Sequence, residues 1–275
     1  MIADCEKLNI ASANLTLVLS RELTLLRIFR NGKAVTPLVI ALIVLGVAIV
    51  LVAGTLIAYY ASGVGNLKTE TKQFSDFTKL DIGSAFEVTI TQSSTYNVTV
   101  TASQGVVDRI DITKSDDTLS IQLQPGVILG ASTLKADISM PILNEVTFSG
   151  AAHGTASGGF STTAGFTANL NGASTFEITD LATQNVHVDL SGASSFTAQG
   201  TGNDLVAVVS GASNLQLSSF HTNNTTVELS GASHATVNLN GRLDVTASGF
   251  SSLVYYGKPT LGNIDTSGGS TVSKG

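Results

Sequence analysis

The side chains that could do chemistry are few and thinly spread. The histidines are His153, His187, His221 and His234, and no two have the spacing of a metal-ligand pair on one helix face. Between residues 149 and 275 the carboxylates are Glu177, Asp180, Asp189, Asp204, Glu228, Asp244 and Asp265, with Arg242, Lys258 and Lys274 as the cations. A strand-built polysaccharide hydrolase needs a general acid and base about 5–9.5 Å apart. Cys5 is the single cysteine, which excludes an intrachain disulfide and a cysteine-built zinc site. A net charge of −6 offers no basic patch for phosphate, so nucleic acid is not an expected partner. Calcium-binding glycine-aspartate nonapeptides are absent. The sequons at Asn97, Asn223 and Asn224 would accept glycans in a host that glycosylates exported proteins.

What positions these groups is a repeat. Glycine, serine and threonine make up 91 of 275 residues, and from residue 149 they recur in order. The units read Ser-Gly-Ala or a close variant, centred on Gly150, Gly172, Gly192, Gly211, Gly231, Gly249 and Gly268. Successive glycines lie 22, 20, 19, 20, 18 and 19 residues apart, a period that points to a solenoid. Upstream of each glycine, apolar residues alternate with polar ones, as in Val188-Asp189-Leu190 and Val227-Glu228-Leu229. Downstream the alternation resumes at Phe176 and Ile178, Phe196 and Ala198, Leu215 and Leu217, Leu253 and Tyr255. A period of two with β-branched and aromatic enrichment means strand, not helix. Each unit is therefore a coil of two short strands, and about six to seven such coils stack as a parallel β-solenoid.

Stacking assigns a task to each repeated position. Glycine supplies a backbone angle closed to other residues at the bend, and alanine fits the tight corner. Two residues after the glycines stand Ser174, Ser194, Ser213, Ser233, Ser251 and Ser270, expected to form a hydroxyl ladder about 4.8 Å per rung. The next position (His153, Thr175, Ser195, Asn214, His234, Ser252, Thr271) makes a second polar column. His153 and His234 share that column but lie about 19 Å apart at this spacing, too far to share a metal. Asp189, Glu228 and Asp265 share an outward column with other residues intervening, which leaves each pair about 10 Å apart. No catalytic, cofactor-binding or metal-binding residue is assigned, and no enzyme is expected.

Residues 74–148 are β-rich but less regular, with alternating segments at Phe86–Ile90, Tyr96–Val100, Ile110–Ile112 and Leu119–Leu123, and a hairpin turn expected at Asp116-Asp117. They are expected to be the first layers or cap of the same solenoid. The run from Phe77 to Ile90, Phe-x-x-Leu-Asp-Ile-Gly-x-x-Phe-x-Val-x-Ile, the Leu-x-Ile strand at Leu119 and the repeated Ser-Gly-Ala resemble the head GIN domain family over about residues 74–273. The resemblance implies a β-solenoid on exported, surface-anchored, adhesin-like proteins, and it carries over no catalytic residues.

The N-terminal quarter is different. No charged residue lies between Lys33 and Lys68, and Pro37 to Tyr60 contains 14 Leu, Ile or Val in 24 residues. About 20 apolar residues span a bilayer, so 34–60 is expected to be a single transmembrane α-helix. Arg21, Arg27, Arg30 and Lys33 precede it and no charge immediately follows, which places the N-terminus in the cytoplasm and the chain after about residue 61 outside. Residues 1–33 are then a cytoplasmic segment or leader, 61–73 a linker and 149–275 the repeat solenoid. Asn31-Gly32-Lys33 ahead of the apolar run also resembles the N-terminus of archaeal type IV pilins, implying cleavage after Gly32.

Together these readings describe a membrane-anchored β-solenoid outside the cell, a surface interaction or structural module. Its flat Ser/Thr/Asn face suits weak multivalent contact with glycans or surface proteins. Homo-oligomers are allowed. A pilin-like filament subunit and, further off, a carbohydrate-active β-helix enzyme are the alternatives.

Overall fold

Alternation along the chain becomes alternation of burial. In the strand Asn185–Leu190, Val186, Val188 and Leu190 are buried while Asn185, His187 and Asp189 face solvent. The computed structural model describes residues 66–127, 129 and 132–275. Two sheets result. The leading sheet collects the strands before each corner glycine, namely Glu145–Phe148, Phe166–Leu170, Asn185–Leu190, Asp204–Val209, Asn224–Leu229, Arg242–Ala247 and Thr260–Thr266. The trailing sheet collects those after it, namely His153–Ser157, Thr175–Thr183, Ser195–Thr201, Asn214–Thr222, His234–Leu239, Ser252–Gly257 and Thr271–Lys274. Every pairing between successive strands within these two sets is parallel. This is an all-β parallel solenoid, with six turns between Gly150 and Gly268.

The core runs between the sheets as columns of like residues. Phe176 and Phe196 stack one coil apart with centroids 5.9 Å apart and rings within 5° of parallel, and Phe148 meets Phe176 edge-on at 5.3 Å. Offset and edge-on aromatic contacts of this kind are favoured by the ring quadrupole.

Each corner glycine has positive φ, from 71° to 78°. Its carbonyl accepts the N–H of the residue after the next glycine: Ala193 N–H donates to Gly172 and Ala212 N–H to Gly192, at 2.7 and 2.8 Å. The first layers contain the same corner, shifted by one residue. Ser84 pairs with the Gly150 level, has φ 67°, and its carbonyl accepts from Ala151 at 2.7 Å.

The N-terminal β region belongs to the solenoid, but its coils are not stacked in chain order. Lys79–Ile82 and Glu87–Gln92 form a coil directly beneath Glu145–Phe148 and His153–Ser157. The coil made by Thr118–Leu123 and Leu134–Met140 lies beneath that one, although it comes later in the chain. Antiparallel strands close this end: Asn97–Ser103 and then Leu67–Lys72 on the trailing sheet, and Ile110–Ser115 on the leading sheet. The expected Asp116-Asp117 turn joins Ile110–Ser115 to Thr118–Leu123, with Asp116 at φ 52°. A four-residue helix, Gln104–Val107, links the two caps.

No helix among the described residues is long and apolar enough to cross a membrane. The expected span at 34–60, the segment 1–33 and the pilin-like cleavage site all lie outside the described residues.

Candidate functional site

Stacking turns the outward positions of each strand into surface columns. On the trailing sheet, strand register aligns His153, Thr175, Ser195, Asn214, His234, Ser252 and Thr271, the second polar column expected from sequence. Beside it run Thr155, Glu177, Thr197, Gln216, Thr236, Val254 and Ser273. Within the repeat Glu177 is the only carboxylate in these two columns, the remainder being hydroxyl, amide, imidazole and one valine; beneath His153 and Thr155 the same columns continue into Glu87, Lys135 and Asp137. Neighbours along and across the columns hydrogen-bond, with His234 Nδ1 and Ser252 Oγ 2.6 Å apart and Gln216 donating to Asn214 at 3.1 Å. The result is a flat face of donors and acceptors at strand spacing.

The leading sheet presents the opposite character. Register aligns Asp81, Thr147, Asn169, Asp189, Val208, Glu228, Thr246 and Asp265 in one column. Asp189, Glu228 and Asp265 are therefore in line as expected, and one non-acidic residue separates each from the next. The adjacent column holds Lys79, Glu145, Thr167, His187, Val206, Thr226 and Asp244. Asp244 is clamped by Arg242, whose Nη2 donates at 2.7 Å, and it also accepts from the Asn263 N–H, so its carboxyl is held below the usual range. An open groove of about 520 Å³ lies on this side, lined among others by Lys79, Glu145, Asn185, His187 and Asp204. Its charged groups are already engaged: Lys79 with Asp117 at 3.3 Å, Glu145 with Asn169 at 3.2 Å and Asp204 with Asn224 at 2.9 Å. Among the described residues no three His, Cys, Asp or Glu side chains gather where they could hold a metal ion.

The serine positions behave differently from expectation. Ser174, Ser194, Ser213, Ser233 and Ser251 are buried, and Ser270 is half-buried. Their hydroxyls do not form a ladder with one another. Ser174, Ser194, Ser251 and Ser270 donate to the carbonyl three residues back, at 2.7–2.9 Å, and Ser233 donates to Val209. A buried hydroxyl must find an acceptor, and the corner backbone supplies the nearest one. This column is corner structure and is closed to ligands.

A second corner escaped the sequence reading. Asn203 N–H donates to Gln184, Asn223 to Asn203 and Gly241 to Asn223, at 2.6–2.7 Å. These residues stand eight before Gly192, Gly211, Gly231 and Gly249, a constant offset that would have revealed them. The varying repeat length is absorbed by register shifts in the trailing strands after Ile178, Thr197 and Gln216, and in the last leading pair after Leu243. Asn223 and Asn224 lie exposed at this corner, and Asn97 is exposed at the start of its strand.

Comparison with known proteins agrees with this geometry. Residues 76–259 match the family described as putative auto-transporter adhesin, head GIN domain. The chain belongs to the head GIN domain family. A solved structure of a putative adhesin from Bacteroides fragilis has the same fold, with a TM-score of 0.71 at 22% identity, covering 76% of this chain and 97% of that one. A protein from Parabacteroides distasonis, described as a putative lipid binding protein, aligns with a TM-score of 0.62 at 16% identity over 77% of this chain and 98% of its own. A putative adhesin from Parabacteroides merdae gives 0.60 at 16% identity, over 77% and 97%. No curated protein proved similar to the chain. Each of these three solved chains aligns over 97–98% of its own length, so nearly all of each one is this fold.

Proposed function

We propose that this head GIN protein is a non-enzymatic surface interaction module, tethered by its apolar segment at 34–60 and holding the solenoid outside the cell. The observation that carries the reading is the trailing face, where two neighbouring columns run the length of the repeat with a single carboxylate between them. Such a surface makes one shallow contact per rung, and a ligand that is itself repetitive engages many rungs at once. Multivalency of this kind multiplies affinity by about 10²–10⁴ without any deep pocket. Surface glycans and the polar faces of other surface proteins have that repetitive character. The adhesin descriptions of its relatives point the same way. The cationic flank before residue 34 and the uncharged one after residue 60 favour this orientation.

The test is binding of the 61–275 fragment to a glycan array and to whole cells, with protease shaving of intact cells to check the orientation. Retention on glycans or cells, and loss of the solenoid on shaving, are expected. Absence of any binding, or a solenoid protected in intact cells, overturns the reading.

A further inference from the structure

The groove on the leading sheet has a cause in the sequence. The first repeat is the longest, 22 residues from Gly150 to Gly172, and its extra residues fall between Ala156 and Phe166. Register sets Gly165 level with Asn185, in the outward row that Asp204, Asn224 and Arg242 continue. With φ 96° and no side chain, Gly165 leaves that row without a wall at its rung. The space that opens, about 520 Å³, is within the about 300–1,000 Å³ usual for small-ligand sites.

Lys79, Glu145, Thr167, His187 and Val206 line it from one outward column on five successive rungs, about 19 Å at about 4.8 Å per rung. The hydrogen bonds already present pin its polar groups without exhausting them. Glu145 accepts from Asn169 on Oε1, which leaves Oε2, and Asn144 accepts from Thr162 on Oδ1, which leaves its amide hydrogens. His187 and Asn185, both exposed, have no side-chain partner among the described residues. Val206, 45% exposed, adds an apolar patch at one end. Donors and acceptors held in place with capacity to spare can orient a ligand at little entropic cost.

We propose that this groove binds a short linear oligosaccharide of uncharged sugars. An extended pyranose chain advances by close to one rung per residue, so each sugar meets a fresh set of groups, and the groove holds about four residues at about 4.8 Å per rung. Sugar hydroxyls donate and accept alike, which matches a lining of carboxylate, amide, imidazole and ammonium. The C–H face of a ring suits Val206. Charge decides the class of glycan. Glu145 and Asp204 are carboxylates, and Lys79 is paired with Asp117 at 3.3 Å, so uronate or sulfated chains are repelled. The groove is a second site, on the other sheet from the trailing face, and it stands whether or not that face binds.

Titration calorimetry of the full-length chain in a non-glycosidic detergent tests this. The probes are manno-, cello- and N-acetylated chito-oligosaccharides of increasing length, with oligogalacturonates as the charged control. At least one uncharged series should bind, with affinity rising to about four residues and level beyond, the length of the column. His187→Ala and Asn185→Ala should each weaken binding about threefold to tenfold, the loss of one hydrogen bond, at an unchanged melting temperature. Thr197→Glu combined with Gln216→Glu, on the trailing face, should leave this binding as it is. Three results overturn the proposal: no uncharged series binding at millimolar concentration, tighter binding of oligogalacturonate, or an affinity indifferent to both groove substitutions.

Discussion

The carbonyl oxygen of Gly172 lies where a side chain on Gly192 would have to go: a Cβ built on Gly192 falls 2.3 Å from it. The same oxygen accepts the Ala193 N–H at 2.7 Å, so it cannot move aside without breaking the corner ladder. Gly192 is thus required twice over, by its φ of 78° and by the coil beneath it. Gly192→Ala is expected to cost at least about 1–3 kcal/mol, the range for a strained backbone site. Ser84 stands at the foot of the same column and already carries a Cβ at φ 67°, so Ser84→Gly should be close to neutral. Denaturant melts of the two variants, side by side, check the contrast.

Phe176 packs on Phe196 of the next coil and on Phe148 of the facing sheet, and is fully buried. Phe176→Ala opens a cavity with ordered coils on both sides, which cannot collapse into it. A loss of about 3–5 kcal/mol is expected. Because the coils stack as a near one-dimensional array, hydrogen exchange should quicken most in the adjoining coils.

Ser194 is buried, and its hydroxyl bonds to the Ser191 carbonyl at 2.8 Å. Ser194→Ala should cost about 0.5–1.5 kcal/mol, the net worth of one hydrogen bond. It should leave ligand binding unchanged, since the hydroxyl faces the corner. A drop in binding at unchanged stability would reopen the serine column as a contact surface.

Gln216 and Thr197 sit one above the other at the middle of the trailing face. Replacing both by Glu puts adjacent like charges on a face whose columns carry one carboxylate within the repeat. Binding to cells or glycans should fall at least tenfold, while these half-buried outward positions, now holding like charges opposite one another, cost about 0.5–1 kcal/mol of stability. Paired titrations and melts of the double variant separate these effects.

Glu70 is flanked by Lys68 and Lys72, whose hydrogen bonds and charges hold its carboxyl at about 2, against an ordinary 4.5. Because the folded-state value is depressed, whatever stability Glu70 contributes is present above the unfolded value and is lost as pH falls toward 2. The group is exposed, so added salt should screen the pairs and move its titration back up. Carbon-detected NMR titration of the Glu70 carboxyl at low and high salt measures both.

How much was legible from sequence varied with how local the cause was. The glycine corners and the two-residue alternation could be read directly, because a forbidden φ and a half-buried strand each leave a residue type at a fixed position. Gly150 to Gly268 and the columns of Val188 and Leu190 accordingly stand where their spacing placed them. The resemblance over 77–90 and the Ser-Gly-Ala units likewise led to the right family. Three features were settled only by the tertiary structure. The coil at 118–140 slips beneath the coil at 79–92, since both alternate alike and only long-range register ranks them. The serines turn inward because, at the corner, an acceptor three residues back satisfies a hydroxyl that alternation alone would leave ambiguous. The separation of a nearly uncharged face from an acidic one also appears only on stacking, when residues about 20 apart in the chain become neighbours about 4.8 Å apart.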